Sequence, residues 1–193
     1  MTDTRRSFIK KASLAGAAAL AAPAVTGQRK VQQQKAPEPV RPFKLKYAPG
    51  IGMFRQNAGE DPLDHIRFCH DQGFRAVFDN NFMKRDPELQ QKIISELSRL
   101  GMDFGPYVLM ADSGKQDFVL NTPEVKEMLT AKMNEAVELA KRTGVKMALV
   151  VPGRYDMKLH MDYQTANVID NLRLCCDIVE PEGITIVLEP LNP

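Results

Sequence analysis

The sequence predicts an α/β fold in which parallel strands alternate with helices, and two observations predict it. Short runs of apolar and β-branched residues alternate with longer segments of helical periodicity, in the order βαβαβαβαβ. That alternation requires parallel strands joined by right-handed helical crossovers. Each strand and its helix take about 30–40 residues, as in an eight-stranded barrel of about 250 residues. We therefore predict a (β/α)8 barrel of which about five β/α units are present, with an open five-stranded flavodoxin-like sheet as the alternative.

Five apolar segments carry the predicted strands. They are residues 43–48, 74–78, 102–109, 145–151 and 183–188. The third is perturbed by Gly105-Pro106. The fifth is a continuous apolar and β-branched run, which predicts a strand buried on both faces. No helical pattern follows it to cover that face, which favours an incomplete barrel over a finished open sheet.

Four helical segments separate the strands, and each opens with a residue type that caps helix N-termini. The predicted caps are Asp61, Asp86, Thr122 and Asp162. Proline follows the first three caps, and glycine ends the same three helices. Apolar residues recur at spacings of three and four along each segment, which predicts one buried face per helix. His65 and His70 lie about 140° apart on the first helix, so we expect solvated or packing roles and not a shared metal.

Two other patterns are weak. Gly50-Ile51-Gly52 follows the first predicted strand, but the third glycine of a dinucleotide-binding GxGxxG loop is replaced by Arg55. The three cysteines are Cys69, Cys175 and Cys176. Their odd number and the lack of a CxxC spacing predict neither a disulfide framework nor a zinc site. We expect them to be core thiols.

The N-terminus predicts an export signal followed by a tether. Residues 1–24 contain the pair Arg5-Arg6, an alanine-rich apolar run and the small-x-small motif Ala22-Pro23-Ala24, which together resemble a twin-arginine signal peptide. Residues 25–42 are rich in Gln, Lys and Pro and predict a flexible linker before a folded domain at residues 43–193. The resemblance implies the twin-arginine translocase as a partner and a periplasmic or cell-envelope location. The alternative is a cytoplasmic protein with a basic start.

The charge of the predicted folded part argues against a nucleic-acid-binding surface. The chain carries a formal charge of +2, but residues 1–24 hold four cations and a single carboxylate. The rest of the chain is therefore close to neutral and shows no basic patch of the kind that binds nucleic acid. A small-molecule substrate is the expected partner, and the sequence leaves oligomerisation open.

The candidate site lies where the fifth predicted strand ends. Glu189 follows the apolar run directly, and Pro190 stops the ladder. A carboxylate at the end of a buried strand is costly unless it has a partner such as a metal, a cation or a substrate. In parallel α/β folds, sites are built at this end of the strands. The loop from Arg154 to His160 follows the fourth strand and places further polar groups at the same end.

Several segments resemble one known superfamily. They are residues 73–80, residues 151–156, the run Asn167 to Leu172 and, most specifically, Val187-Leu188-Glu189-Pro190-Leu191-Asn192. They look like the xylose isomerase-like TIM barrels, which contain sugar phosphate isomerases and epimerases, and within these the hydroxypyruvate isomerase-like proteins. The resemblance covers residues 43–193.

This resemblance implies a (β/α)8 TIM barrel with one divalent metal at its carboxyl face. The first metal ligand is then Glu189, with Mg²⁺ or Mn²⁺ favoured over Zn²⁺ because both prefer carboxylate oxygens. Arg154, His160 and Asn192 are the predicted substrate-binding residues. The remaining ligands and the catalytic base would come from strands six to eight, so we expect them beyond Pro193. Family members often place Glu at the end of the second strand, where this chain has Phe78 followed by Asp79.

The function that the resemblance implies is a metal-dependent isomerase or epimerase of a small hydroxy-carbonyl or sugar compound, for example one that interconverts hydroxypyruvate and tartronate semialdehyde. An exported, non-catalytic carbohydrate-binding barrel is the alternative. A DNA repair endonuclease on the same barrel would need several histidines at strand ends and a basic groove. The chain has three histidines in all, two of them on the first helix, so this class is disfavoured.

Overall fold

The computed structural model of the chain describes residues 40–191. The predicted signal peptide and the predicted linker up to residue 39 lie outside this range, as does Asn192. Within residues 40–191, no helix is both long enough and apolar enough to cross a bilayer.

The described residues form five short strands and five α-helices. The strands are β1 (Ala76–Val77), β2 (Asp103–Phe104), β3 (Tyr107–Met110), β4 (Met147–Val150) and β5 (Thr185–Leu188). The helices are α1 (Arg55–Ala58), α2 (Pro62–Asp71), α3 (Pro87–Leu100), α4 (Pro123–Thr143) and α5 (Met161–Val179). Two 3₁₀ turns, Phe82–Lys84 and Glu180–Glu182, complete the chain path. The predicted alternation of strands and helices is confirmed.

All strand pairs are parallel, and each strand pairs with a strand next to it in the sequence. β1 pairs with β2, and β3 pairs with β4, which pairs with β5. β2 and β3 belong to one stretch of chain that is interrupted only by Gly105-Pro106, because proline has no N–H to donate to a ladder. A flavodoxin-like sheet would place its first strand in the interior. The sequential order is that of a barrel, and the fold is a partial (β/α)8 barrel.

The prediction of a first strand at residues 43–48 is wrong. These residues are not in a strand, and Phe43, Leu45 and Tyr47 are 40–63% exposed. Pairing starts later: Phe78 donates to the Pro49 carbonyl at 3.2 Å, and Ile51 donates to the Phe78 carbonyl at 2.9 Å. Alternating apolar residues form a strand only where a neighbour supplies a row of backbone partners. Residues 43–48 make a single backbone bond to the segment before β1, from the Phe43 N–H to the Gly73 carbonyl at 2.9 Å.

β5 is also less buried than predicted. Ile184 is buried, but β5 itself ranges from half-buried to exposed. The reason is its position, because among the described residues only β4 pairs with it and its other edge is open.

One core lies between the strands and the helices. Its largest fully buried side chains include Tyr107, Phe82, Phe118, Ile66 and Leu129. Two of the three cysteines, Cys69 and Cys175, belong to this core, and Cys176 is half-buried. The prediction of core thiols is therefore confirmed for two cysteines. This packing fixes the helices against the strands, so that the strand ends become fixed attachment points for loops.

Candidate active site

The loops that leave the carboxyl ends of the strands share one edge of the sheet, because all the strands are parallel. Asp79 follows β1 by two residues, Asp112 follows β3 by two residues, and Glu189 follows β5 directly. The loop that starts at Val151 leaves β4 at the same edge. Barrel enzymes build their sites from loops at this edge, so it is the candidate active site.

Glu189 is held by its backbone while its side chain stays open. Its N–H donates to the Val150 carbonyl at 3.0 Å, one step beyond the last β4–β5 pair, Val150 with Leu188. The side chain is exposed, and no hydrogen bond or ion pair joins its carboxylate to another residue of the described range. A salt-bridged strand end, the main structural explanation for this carboxylate, is thus not what residues 40–191 show.

The chemistry of Glu189 suits a divalent ion, but one carboxylate is not a metal site. Mg²⁺ and Mn²⁺ favour carboxylate oxygens, which Glu189 provides at the expected edge. Within residues 40–191, no group of three or more His, Cys, Asp or Glu side chains could hold a metal ion. The described residues therefore supply one candidate ligand and do not define a complete site.

The loop between β4 and α5 is fastened to the loop between β3 and α4. Arg154 donates its N–H to the Lys115 carbonyl at 2.8 Å, and Gln116 reaches the Tyr155 carbonyl at 3.3 Å. Gly153 has φ +85°, and a Cβ there would lie 2.4 Å from the Lys115 carbonyl oxygen. Only glycine allows the two loops to approach this closely.

The side chain of Arg154 borders an open cavity between these two loops. The cavity has a volume of about 460 Å³ and is also lined by Lys115, Gln116, Asp117 and Leu120. Arg154 is exposed, so its guanidinium is accessible to a solute that enters the cavity. Its predicted role in substrate binding stays a prediction.

His160 has a structural role that the sequence did not predict. Helix α5 begins at Met161, and the N–H of Asp162 donates to His160 Nδ1 at 3.4 Å. His160 is therefore the N-cap residue, and the prediction that Asp162 caps this helix is wrong. The imidazole can accept this bond because one of its ring nitrogens is unprotonated in the neutral form. Substrate binding by His160 stays a prediction, and Asn192 lies outside the described residues.

Three amide side chains on α5 hold the loops of the candidate site. Asn171 is fully buried and donates to the carbonyls of Phe118 and Leu120 at 3.0 and 2.8 Å. Asn167 donates to the Val119 carbonyl at 2.8 Å. Sequence reasoning missed these roles, although amides at spacings of four and three on one helix face were a usable signal.

Gln164 is the third member of this set and holds the β4–α5 loop. Its side-chain NH₂ donates to the carbonyls of Asp156 and Leu159 at 2.9 and 2.7 Å, and its oxygen accepts from the Asp156 N–H at 2.7 Å. One buried amide thus satisfies three backbone groups, which fixes the shape of this loop.

Asp79 anchors the loop after β1. It is 2% exposed, forms an ion pair with Arg85 and accepts from the Asn81 N–H at 3.0 Å. Because its carboxylate oxygens are engaged in this way, Asp79 shapes the loop instead of offering a free ligand.

The pKa values of two carboxyl groups in the β3–α4 loop are shifted in opposite directions. Hydrogen bonds from Lys115 and from the Gly114 N–H lower the pKa of Asp112. Partial burial raises the pKa of Asp117, which lines the cavity beside Arg154. Asp117 therefore holds a proton more readily than an ordinary aspartate does.

The stretch of chain that forms this edge matches a known protein family. The family described as "Xylose isomerase-like TIM barrel" matches residues 66–193. This stretch contains β1 to β5 and the loops of the candidate site. No curated protein matches the chain significantly.

Solved structures with the same fold come from several bacteria. An AP endonuclease, family 2, from Brucella melitensis is 19% identical, with a TM-score of 0.58 over 76% of this chain and 55% of that protein. A D-psicose 3-epimerase from Clostridium cellulolyticum H10 is 13% identical, with a TM-score of 0.59 over 77% and 53% of the two chains. A 3-keto-D-glucoside 4-epimerase from E. coli is 18% identical, with a TM-score of 0.55 over 77% and 57%.

These likenesses concern the fold, because the identities are low. The chain spans a little over half the length of these proteins.

Proposed function

Because the chain belongs to the xylose isomerase-like TIM barrel family, we propose that it takes part in an isomerase or epimerase reaction on a small hydroxy-carbonyl or sugar substrate. The similar structures support the reaction class, since two of them are named as sugar epimerases. The resemblance of residues 187–192 to hydroxypyruvate isomerase-like proteins supports a short hydroxy-carbonyl compound as the substrate. On this proposal, later barrel strands supply the remaining groups of the catalytic site.

The observation that carries this proposal is the free carboxylate of Glu189 at the carboxyl end of β5. A strand-end carboxylate with no partner in the described range is suited to bind a divalent cation, Mg²⁺ or Mn²⁺. Such an ion, when bound, polarises a carbonyl oxygen as a Lewis acid. Further ligands and the base that moves the α-proton are proposed to come from strands six to eight.

The residues of this chain have separate tasks in the proposed reaction. Glu189 supplies one ligand oxygen, and the backbone bond to Val150 fixes where that oxygen lies. Arg154 offers hydrogen-bond donors to oxygen atoms of a substrate in the cavity that it borders. Asn171 and Gln164 keep the surrounding loops in place.

We also propose that the protein is exported. The basic pair, apolar run and small-x-small motif of residues 1–24 support passage through the twin-arginine translocase and a periplasmic or envelope location. On this proposal, the folded domain at residues 43–193 works outside the cytoplasm after a linker at residues 25–42. The substrate would then be a compound that is present in the envelope.

The test uses the protein isolated from its native host, with Glu189→Gln as the variant. Hydroxypyruvate and a panel of ketoses are incubated in D₂O with Mn²⁺ or Mg²⁺, and exchange of the α-proton is followed by NMR. We expect exchange in the native protein and a loss of more than about 10–100-fold in the variant, because loss of even an outer-shell partner of a metal site typically costs that much. Titration calorimetry should show weaker Mn²⁺ binding in the same variant.

Glu127→Gln is the matched control, because Glu127 is an exposed glutamate on α4. It should keep both exchange and Mn²⁺ affinity. Equal Mn²⁺ affinity in the native protein and in the Glu189 variant would contradict the assignment of the ligand. Sugar binding without any α-proton exchange would contradict the enzyme and favour the non-catalytic carbohydrate-binding barrel.

A further inference from the structure

His65 is a buried histidine that the proposed reaction does not use. It lies on α2, is 1% exposed, and its Nε2 accepts a hydrogen bond from the Phe54 N–H at 2.8 Å. The imidazole also stacks on the Phe54 ring, with centroids 5.9 Å apart and planes 18° apart. A ring nitrogen that accepts from an N–H cannot carry a proton, so this arrangement requires the neutral form of His65.

The hydrogen bond fastens a loop to the carboxyl edge of the sheet. Because Pro49 and Ile51 pair in parallel with Phe78, the residues after Ile51 leave the sheet at the same edge as Asp79. This segment, residues 52–60, contains the single-turn helix α1, and Phe54 is its N-cap residue. Phe54 has no side-chain cap, so His65 provides the fixed partner that anchors the start of α1 to α2.

The groups around His65 oppose its protonation. Burial lowers the pKa of His65, and the nearby charge of Arg55 lowers it further. The thiol of Cys69, 3.9 Å from Nδ1, stays neutral because burial raises its pKa to about 11. The two carboxylates at the start of α2 are engaged elsewhere: Asp61, the N-cap residue, accepts from the Leu63 N–H at 2.8 Å, and Asp64 pairs with Arg67 at 2.8 Å.

Protonation would therefore remove the acceptor for the Phe54 N–H and place a second positive charge beside Arg55. The Phe54 ring also packs against the rings of Phe68 and Phe74, with ring centroids 5.6 and 6.0 Å from its own. These apolar contacts do not depend on pH, so the hydrogen bond is the part of the anchor that a proton breaks.

We propose that His65 is a proton-dependent latch for residues 52–60. Neutral His65 holds this loop at the carboxyl edge, and protonated His65 releases it. The sign follows from the linkage between protonation and conformation: the released state binds one more proton than the latched state, so release is favoured as the pH falls. The latch acts on the shape of the edge and does not rest on the proposed function.

The test measures amide hydrogen exchange of the full chain between pH 8 and pH 5, corrected for the intrinsic pH dependence of exchange. The released state carries an ordinary histidine with a pKa of about 6.5, so below that pH protection of the Phe54 amide should fall by up to about tenfold per pH unit, the slope for uptake of one proton, until the latched histidine is protonated as well. Amides within α2 should keep their protection over the same range, because only the loop opens. Protection of Phe54 that does not change with pH, or a parallel loss throughout α2, would overturn the proposal.

Two variants sharpen the result. His65→Gln keeps an acceptor oxygen that does not titrate, so its Phe54 amide should be protected without the pH-dependent slope. His70→Gln removes the exposed histidine of the same helix and should keep the native slope. A native-like slope in His65→Gln would overturn the assignment to His65. If that variant does not fold, the slope in the native chain and in His70→Gln still decides.

Discussion

Glu96 is the residue that ties α2 to α3 by charge. It is 9% exposed, and its carboxylate accepts from Arg67 at 2.7 Å and from Arg99 at 2.7 and 2.8 Å. Both arginines are about half exposed, which screens the attraction. The ion pair of Glu96 with Arg99 lies within α3, whereas the ion pair with Arg67 joins α3 to α2.

These bonds predict a pH dependence of stability. Hydrogen bonds from Arg99 and Arg67 lower the pKa of Glu96 from 4.5 to about 2. A folded-state pKa below the unfolded value stabilises the fold above the unfolded pKa, and this contribution is lost as the pH falls towards 2. Glu96→Gln should lower the free energy of unfolding at pH 7 by about 1 kcal/mol. The same variant should also lose less unfolding free energy between pH 5 and pH 2 than the native chain does. Urea denaturation at each pH measures both effects.

Glu88→Gln is the control for this prediction, because Glu88 is an exposed glutamate of α3 that pairs only with Lys92. It should leave the free energy of unfolding nearly unchanged, because exposed ion pairs contribute little, and it should leave most of the acid sensitivity in place. An equal decline of stability in the native chain and in the Glu96 variant would show that another carboxyl group controls this pH range.

Single residues also show which parts of the site the sequence could predict. The placement of Glu189 and Arg154 after strand ends was predictable because a polar group that follows a strand is visible in the sequence, whereas their roles stay predictions. The cap at His160 was not predicted, because histidine is a rare cap and Asp162 had the better residue type. The partners of Asn171 lie more than fifty positions earlier in the chain, so no local pattern reveals them.

At the scale of elements, α5 controls the shape of the β3–α4 loop through Asn171. Asn171→Leu keeps a similar volume but leaves the carbonyls of Phe118 and Leu120 without their donor. Unpaired buried carbonyls cost about 1–3 kcal/mol, so we expect a loss of that size in urea denaturation. Limited proteolysis should also become faster at Lys115, which lies in this loop.

Asn167→Leu is the matched variant on the same face of α5. It removes a single, partly buried hydrogen bond, to the Val119 carbonyl, and should cost about half as much. If both variants were cut at Lys115 at the native rate, the amides would not be what holds the loop.

The starts of α2, α3 and α4 were predicted to the residue, but α1 was not predicted and α5 begins two residues before the predicted position. Strand bounds were less predictable. Asp61 and Thr122 cap their helices as predicted, with Pro62 and Pro123 as the first helical residues. Helix signals are local, because caps and apolar spacing lie in one segment. Strand bounds depend on the partner, which is why residues 43–48 are not a strand.

At the scale of the whole molecule, the order of the strands decides between the two predicted folds. Both alternatives contain alternating strands and helices, so composition and periodicity could not separate them. The pairing of β1 with β2, of β3 with β4 and of β4 with β5 appears only in three dimensions. Because β2 and β3 belong to one stretch of chain, this pairing excludes the flavodoxin-like order. Among the described residues, β5 pairs only with β4, so one side of β5 has no strand beside it.

The outer edge of β5 presents backbone groups that the described residues do not use. The N–H groups of Thr185 and Glu189 point to β4, with bonds of 2.8 and 3.0 Å. Because neighbouring residues of a strand alternate in direction, Ile186 and Leu188 present theirs on the open side. Leu188 is also 43% exposed. An apolar strand with a free edge is a template for pairing with another chain.

We therefore expect the 193-residue chain to self-associate through β5. Its sedimentation coefficient should rise with protein concentration, and Leu188→Lys should weaken association at least about tenfold, or 1.4 kcal/mol, because lysine protects exposed edges. Met147→Lys is the control, since Met147 is 37% exposed but lies on β4, which is paired on both sides. It adds the same charge and should leave association unchanged. A monomer with a cooperative thermal transition at every concentration would contradict an open edge at β5, because an unpaired apolar strand would not stay monomeric at high concentration.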